Sequence, residues 1–195
     1  MSSSSAKPPY LVRTSELSSI ASLDRREHPV DSRNHRYACS LGDTTGLTKT
    51  GVHFCRLPPG ATSTTLHYHT HDDEWYYIID AGEGAKLLLW EPDTAADGEE
   101  IREPREENIQ SGDFFGFKSG ESNVRAHALR AGEKEVVYLI GGSREQTDMS
   151  VYPLKRQRMI ISRSQDTGVQ TWTVEEKDLK TVHMKAPAQA GSARK

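Results

Sequence analysis

Apolar and polar positions alternate with a period of two over Arg36 to Leu41, Thr50 to Leu57 and Val124 to Leu129. Such alternation predicts strands that bury one face. Two further strands are read at Glu74 to Asp80 and Ala85 to Trp90, joined by the turn Gly82-Glu83-Gly84. Phe114 to Phe117 is a short apolar run between a turn at Gly112-Asp113 and a second at Lys118 to Glu121. Helical spacing appears only at the margins. Leu17, Ile20 and Leu23 follow a possible cap at Thr14 or Ser15, which predicts a short helix over Thr14 to Leu23. Thr173 can cap a second over Val174 to Lys180, with Glu175 and Glu176 in its first turn. Between them, Arg156 to Ser164 reads as an added strand. Glu91 to Ser111 is acidic, carries two prolines and lacks an apolar face. It reads as a long solvated hairpin excursion with one short strand around Ile101, or alternatively as a lid. Residues 1 to 9 and Ala186 to Lys195 read as mobile tails.

Candidate chemistry concentrates where strand parity meets histidine. His67, His69 and Glu74 form His-x-His-x4-Glu. Side chains two apart on a strand share a face, so His67 and His69 project together, and a bend at Thr70 to Asp73 would bring Glu74 back to the same point. Two imidazoles and a carboxylate suit a borderline divalent metal such as iron, manganese, nickel or zinc. His71 has the same parity, but only two residues would then precede Glu74. The pair His67 and His69 is therefore preferred, with His71 on an exposed bend beside Asp72 and Asp73. His127 is the best fourth ligand, although a lone histidine in a strand is more often a satisfied core residue. Arg125 shares its face and is the candidate for binding a carboxylate or phenolate. By parity Tyr76 and Ile78 face inward with Glu74, while Trp75, Tyr77 and Ile79 face out. Tyr76 and Glu74 join Arg125 as candidate catalytic residues. The aromatics of these strands suggest an apolar pocket.

Composition narrows the reading further. A chain of 195 residues is most simply one domain with trimmings. Net charge is -3 and the basic residues are scattered, which gives no reason to expect nucleic acid. No run approaches the ~20 apolar residues of a membrane span, and the start MSSSSAKPPY has no apolar signal core. A cytoplasmic protein with two free cysteines, Cys39 and Cys55, is expected, Cys55 as a small buried hydrophobe.

The stretch Gly60, His67-Tyr-His69, Glu74, Gly82 resembles the first motif of the cupin superfamily, and Gly112-Asp113 through His127 resembles the second. Phe114 to Phe117, Ala126-His127, Leu129 and Tyr138 to Gly142 match single-domain cupins, as does Tyr152-Pro153 with Lys155-Arg156. Lys118 stands where that pattern has proline and Ala131 where it has asparagine; the turn before His127 is about two residues longer. The resemblance implies an all-β fold, a small antiparallel barrel of the jelly-roll type spanning 36–160, with extensions at 1–35 and 161–195. It also implies a divalent metal inside, held by His67, His69, Glu74 and His127, and a homodimer. The function expected is a metal-dependent enzyme acting on a small organic substrate with a carbonyl, carboxylate or phenol. Dioxygenation and isomerase, decarboxylase or lyase chemistry are both open, because the fold hosts many reactions. The alternative is a metal-bound binding or sensing module without turnover.

Overall fold

A computed structural model describes residues 8–17, 20–92, 103–122, 124–164 and 166–180. Thirteen strands follow in order: β1 (Asp24–Glu27), β2 (His35–Ser40), β3 (Thr50–Leu57), β4 (Tyr68–His69), β5 (Glu74–Asp80), β6 (Lys86–Trp90) and β7 (Arg105–Asn108), then β8 (Phe114–Phe117), β9 (Ala126–Arg130), β10 (Val136–Ser143), β11 (Thr147–Tyr152), β12 (Gln157–Ser164) and β13 (Gly168–Glu175). They form three sheets, ordered β1-β2-β3-β10-β5-β8, β13-β12-β11-β4 and β7-β6-β9, with every pair antiparallel. The one α-helical turn among the described residues, Leu41–Thr44, is capped by Ser40, whose Oγ accepts from the Asp43 N–H.

The largest sheet shows why alternation appears where it does. Register places Cys55 opposite both Ala38 and Tyr138, and Tyr138 opposite Ile78. These residues are all buried and build the inner face, together with Tyr76 and Leu57. Tyr77 and Ile79, of opposite parity on β5, are 43% and 42% exposed. Glu74 therefore enters the interior at the end of an otherwise apolar row. Cys55 is fully buried, its thiol pushed up to about 11 chiefly by loss of solvent. Neither cysteine is in a disulfide.

Two terminal expectations are corrected. The segment Thr14 to Leu23 makes two single 3-10 turns, Thr14–Glu16 and Ile20–Ser22, with no buried residue in the first. Three apolar residues without a docking face do not sustain a helix of that length. The segment after Thr173 is also not a helix. Its residues to Glu175 pair along β12, and only Glu176–Asp178 forms a 3-10 turn. A strand bonded along eight residues outweighs a capping signal. In the acidic segment a strand does occur, at Arg105–Asn108 beside β6. Ile101 and Ala186 to Lys195 lie outside the described residues. Among the described residues no helix is long and apolar enough to cross a membrane.

Candidate metal centre

The motif segment meets β9 before it meets β11. Isolated bridges pair Thr62 with Arg130 and His67 with His127, and the His127 N–H donates to the His67 carbonyl at 2.9 Å. Two residues on, His69 pairs with Ser150 of β11. His67 and His127 are thus set side by side by backbone pairing, and His69 follows on the face that His67 occupies. The turn that returns Glu74 is held from a distance. Asp148 Oδ1 accepts from the N–H groups of His71 and Asp72, at 2.9 and 3.2 Å, while the Asp73 N–H donates to Ser143 Oγ at 2.9 Å.

Inside, ligand atoms of His67, His69 and Glu74 all lie within 4.8 Å of one another, and His127 reaches the group through Glu74. His67 Nε2 and His69 Nε2 are 3.1 Å apart, and His127 Nε2 lies 2.6 Å from Glu74 Oε2. Glu74 Oε1 is 4.0 Å from His69 Nε2. Each imidazole turns its other nitrogen to an acceptor: His67 Nδ1 to the Thr65 carbonyl at 2.9 Å, His69 Nδ1 to Asp148 Oδ2 at 2.5 Å, and His127 Nδ1 to the Arg125 carbonyl at 3.0 Å. An acceptor at Nδ1 fixes the proton there and leaves Nε2 with its lone pair. His67 Nε2 and His69 Nε2 thus face one another with lone pairs open to a shared cation, while His127 Nε2 lies against Glu74 Oε2. A proton on His67 is disfavoured, because burial and then the neighbouring His69 and His127 push its pKa well below the ordinary histidine value. Adjacent ligands at metal–ligand bonds of about 2.0–2.2 Å stand roughly 3 Å apart, which the His67–His69 spacing meets. The residues fit a divalent metal.

Glu74 is ionised here. Burial works to raise its pKa, but the hydrogen bond to His127 and the field of the histidines outweigh it and hold the carboxyl well below its usual range. The Tyr76 hydroxyl donates to Glu74 Oε2 at 3.2 Å. Burial, and next the charge of Glu74, keep that phenol protonated far above pH 10. Tyr76 is therefore held as a hydrogen-bond donor to Glu74. Phe117 stacks on His127 with ring centroids 3.6 Å apart. His71 is exposed and its Nδ1 meets only Thr70 Oγ1.

Arg125 departs from expectation. Its guanidinium is 63% exposed and bonds Glu91 at 2.7 Å, outside the barrel. Only its carbonyl serves the site. β9 begins at Ala126, so Arg125 stands just before the ladder and escapes its parity. The arginine that does reach the interior is Arg36, on β2, whose Nη1 donates to the Ser63 carbonyl at 3.2 Å while Nε is buried without a partner. Arg36, His53, His69, Asp72, Glu74 and Arg163 line a cavity of about 150 Å³. The expected aromatic pocket is therefore corrected: Tyr76, Tyr138, Phe115 and Phe117 pack in or against the core, and the cavity wall joins charged side chains to glycines and Ile140. Sequence reading also missed Asp148. Arg36 lies in a predicted strand, but no local pattern says which face of that strand is buried, and nothing local marks Asp148.

No protein-family model matches the chain, and no curated protein does either. Among solved structures it is similar to a candidate sugar phosphate isomerase from Acidithiobacillus ferrooxidans, with 24% identity, 90% of this chain and 97% of that one covered, and a TM-score of 0.70. It is also similar to a sugar phosphate isomerase from a cupin superfamily in Silicibacter pomeroyi, with 22% identity, 84% and 95% covered, and a TM-score of 0.58. At these identities the likeness establishes the architecture: the chain has the cupin fold, an all-β antiparallel jelly roll, in a single copy.

Proposed function

We propose that this protein is a metal-dependent enzyme acting on a small organic compound that bears a carbonyl or carboxylate, with His67, His69, Glu74 and His127 as ligands of one divalent metal. The observation that carries the reading is the tethering of all three Nδ1 atoms, which turns the Nε2 atoms of His67 and His69 to one another and that of His127 to Glu74. Bound there, a metal supplies charge to polarise an oxygen of the substrate. The chain supplies the rest. Glu74 Oε1 accepts no hydrogen bond among the described residues and lines the cavity, so it can take a proton as general base. His53, kept neutral by burial and then by the nearby Arg36, can pass protons at the cavity wall. The charged side chains of the wall, Arg36 among them, support a carbonyl or carboxylate compound over a phenol.

The test is metal content by mass spectrometry on untagged protein, beside a His67→Ala/His127→Ala double variant. About one metal per chain, lost in the variant, is expected. No metal in the wild type after reconstitution would sink the proposal. A turnover screen under air and under argon then assigns the reaction either to dioxygenation or to isomerase, decarboxylase or lyase chemistry; no turnover leaves a sensing module. We also propose a homodimer, supported by exposed Phe114, Tyr77 and Ile79 on neighbouring strands of one sheet, which a monomer in light scattering would contradict. A reducing, cytoplasmic setting is proposed from the unpaired Cys39 and Cys55.

A further inference from the structure

We propose that Arg36 anchors the carboxylate of the substrate, and that the substrate is a short monocarboxylate such as a 2-oxo or 2-hydroxy acid. This rests on the metal reading above and adds the class of compound. Arg36 sits on β2 two residues from Ala38, which belongs to the buried core, so both point to the inner face. Its Nη1 has one carbonyl acceptor, its Nε is buried with none, and among the described residues no carboxylate pairs with it. A buried guanidinium left this way is costly, because its desolvation is not offset. A ligand carboxylate meets a guanidinium through two parallel N–H···O bonds.

The charges around the cavity select which anion. Arg163 bonds Asp72 at 2.7 Å. Asp73 accepts from the Ser119 N–H at 2.8 Å. Glu74 belongs to the metal ligands. Among the described lining residues Arg36 is thus the one cation without an acidic partner, and it matches one negative charge. The cavity, about 150 Å³, equals roughly five waters at ~30 Å³ each. A three-carbon acid fits this volume with its carboxylate on Arg36 and its second oxygen toward Glu74 and His69. A phosphorylated sugar would bring a second charge that no free cation among the described lining residues meets.

The experiment is calorimetric titration of metal-loaded protein with pyruvate, glycolate and inorganic phosphate, in the wild type, Arg36→Gln and Arg36→Lys. Pyruvate or glycolate should bind more tightly than phosphate. Arg36→Gln should lose at least tenfold in that affinity while its metal content matches the wild type, and Arg36→Lys should lose less. Unchanged carboxylate affinity in Arg36→Gln, tighter binding of phosphate, or no carboxylate binding would overturn the anchor. If Arg36→Gln does not fold, Arg36→Lys decides: at least a threefold loss is expected, and none overturns the proposal. The same titration on protein stripped with chelator and then offered metal separates the two readings. Wild type that takes up no metal on reconstitution but still binds carboxylate through Arg36 defeats the metal reading alone. Metal bound normally with carboxylate affinity indifferent to Arg36 defeats the anchor alone.

Discussion

Two of the charged hollows in this protein differ in kind, and the larger of the pair is the less chemical. The depression lined by Glu91, Lys118, Val124 and Arg125 has a volume of about 500 Å³, against about 150 Å³ over His69 and Glu74. In the larger hollow the charges pair with each other in solvent: Arg125 with Glu91, and Arg105 with Glu91 at 3.6 Å, every partner at least 38% exposed. Such pairs are each worth about 0–1 kcal/mol and leave nothing unmet. In the smaller one Asp148 is wholly buried against His69, and Arg36 Nε has no partner. Reactive capacity follows unsatisfied, held groups rather than empty volume.

The largest effect expected falls on the metal. Replacing His69 by alanine should remove most of the bound metal, whereas His71→Ala should leave it, measured as metal per chain; equal losses would break the assignment of the pair. Asp148→Asn comes next. The amide can turn its N–H toward the His69 Nδ1–H, so the ring loses its acceptor and its orientation. A drop of roughly 10–100-fold in metal affinity is expected by chelator competition, and an unchanged affinity would show that Asp148 only braces the turn.

Parity made most of the smaller hollow legible. Strands β3, β5 and β8 lie where alternation or an apolar run placed them, and the inward row Glu74, Tyr76, Ile78 follows from a period of two. Arg125 misled because parity holds only inside a ladder, and the residue lies one position before β9. Arg36 was within a predicted strand, yet which face of that strand is buried depends on its pairing with β3, which no local pattern states. Asp148 is 79 residues from His69, a separation at which only the fold makes neighbours.

The smaller predictions sharpen the contrast between a buried and a solvated group. His28 bonds Tyr152 at 3.3 Å, and burial, then Arg36, lowers its pKa to about 4. Below pH 6.5 the unfolded chain binds the proton and the folded chain does not, so the stability is present above 6.5 and is lost as pH falls toward 4. After allowance for partial solvent access the loss is about 1–2 kcal/mol. Urea midpoints at pH 7 and 4.5 should differ less in His28→Gln than in the wild type. His53, shifted in the same direction by burial, keeps some of the slope.

The least effect belongs to Arg125→Ala. Its guanidinium meets Glu91 in solvent, and the carbonyl that orients His127 is backbone and survives the change. Stability should move by no more than about 0.5 kcal/mol, with metal content and pyruvate affinity unaltered. A fall in pyruvate affinity there, with Arg36→Gln silent, would move the carboxylate anchor into the larger hollow and reverse the comparison.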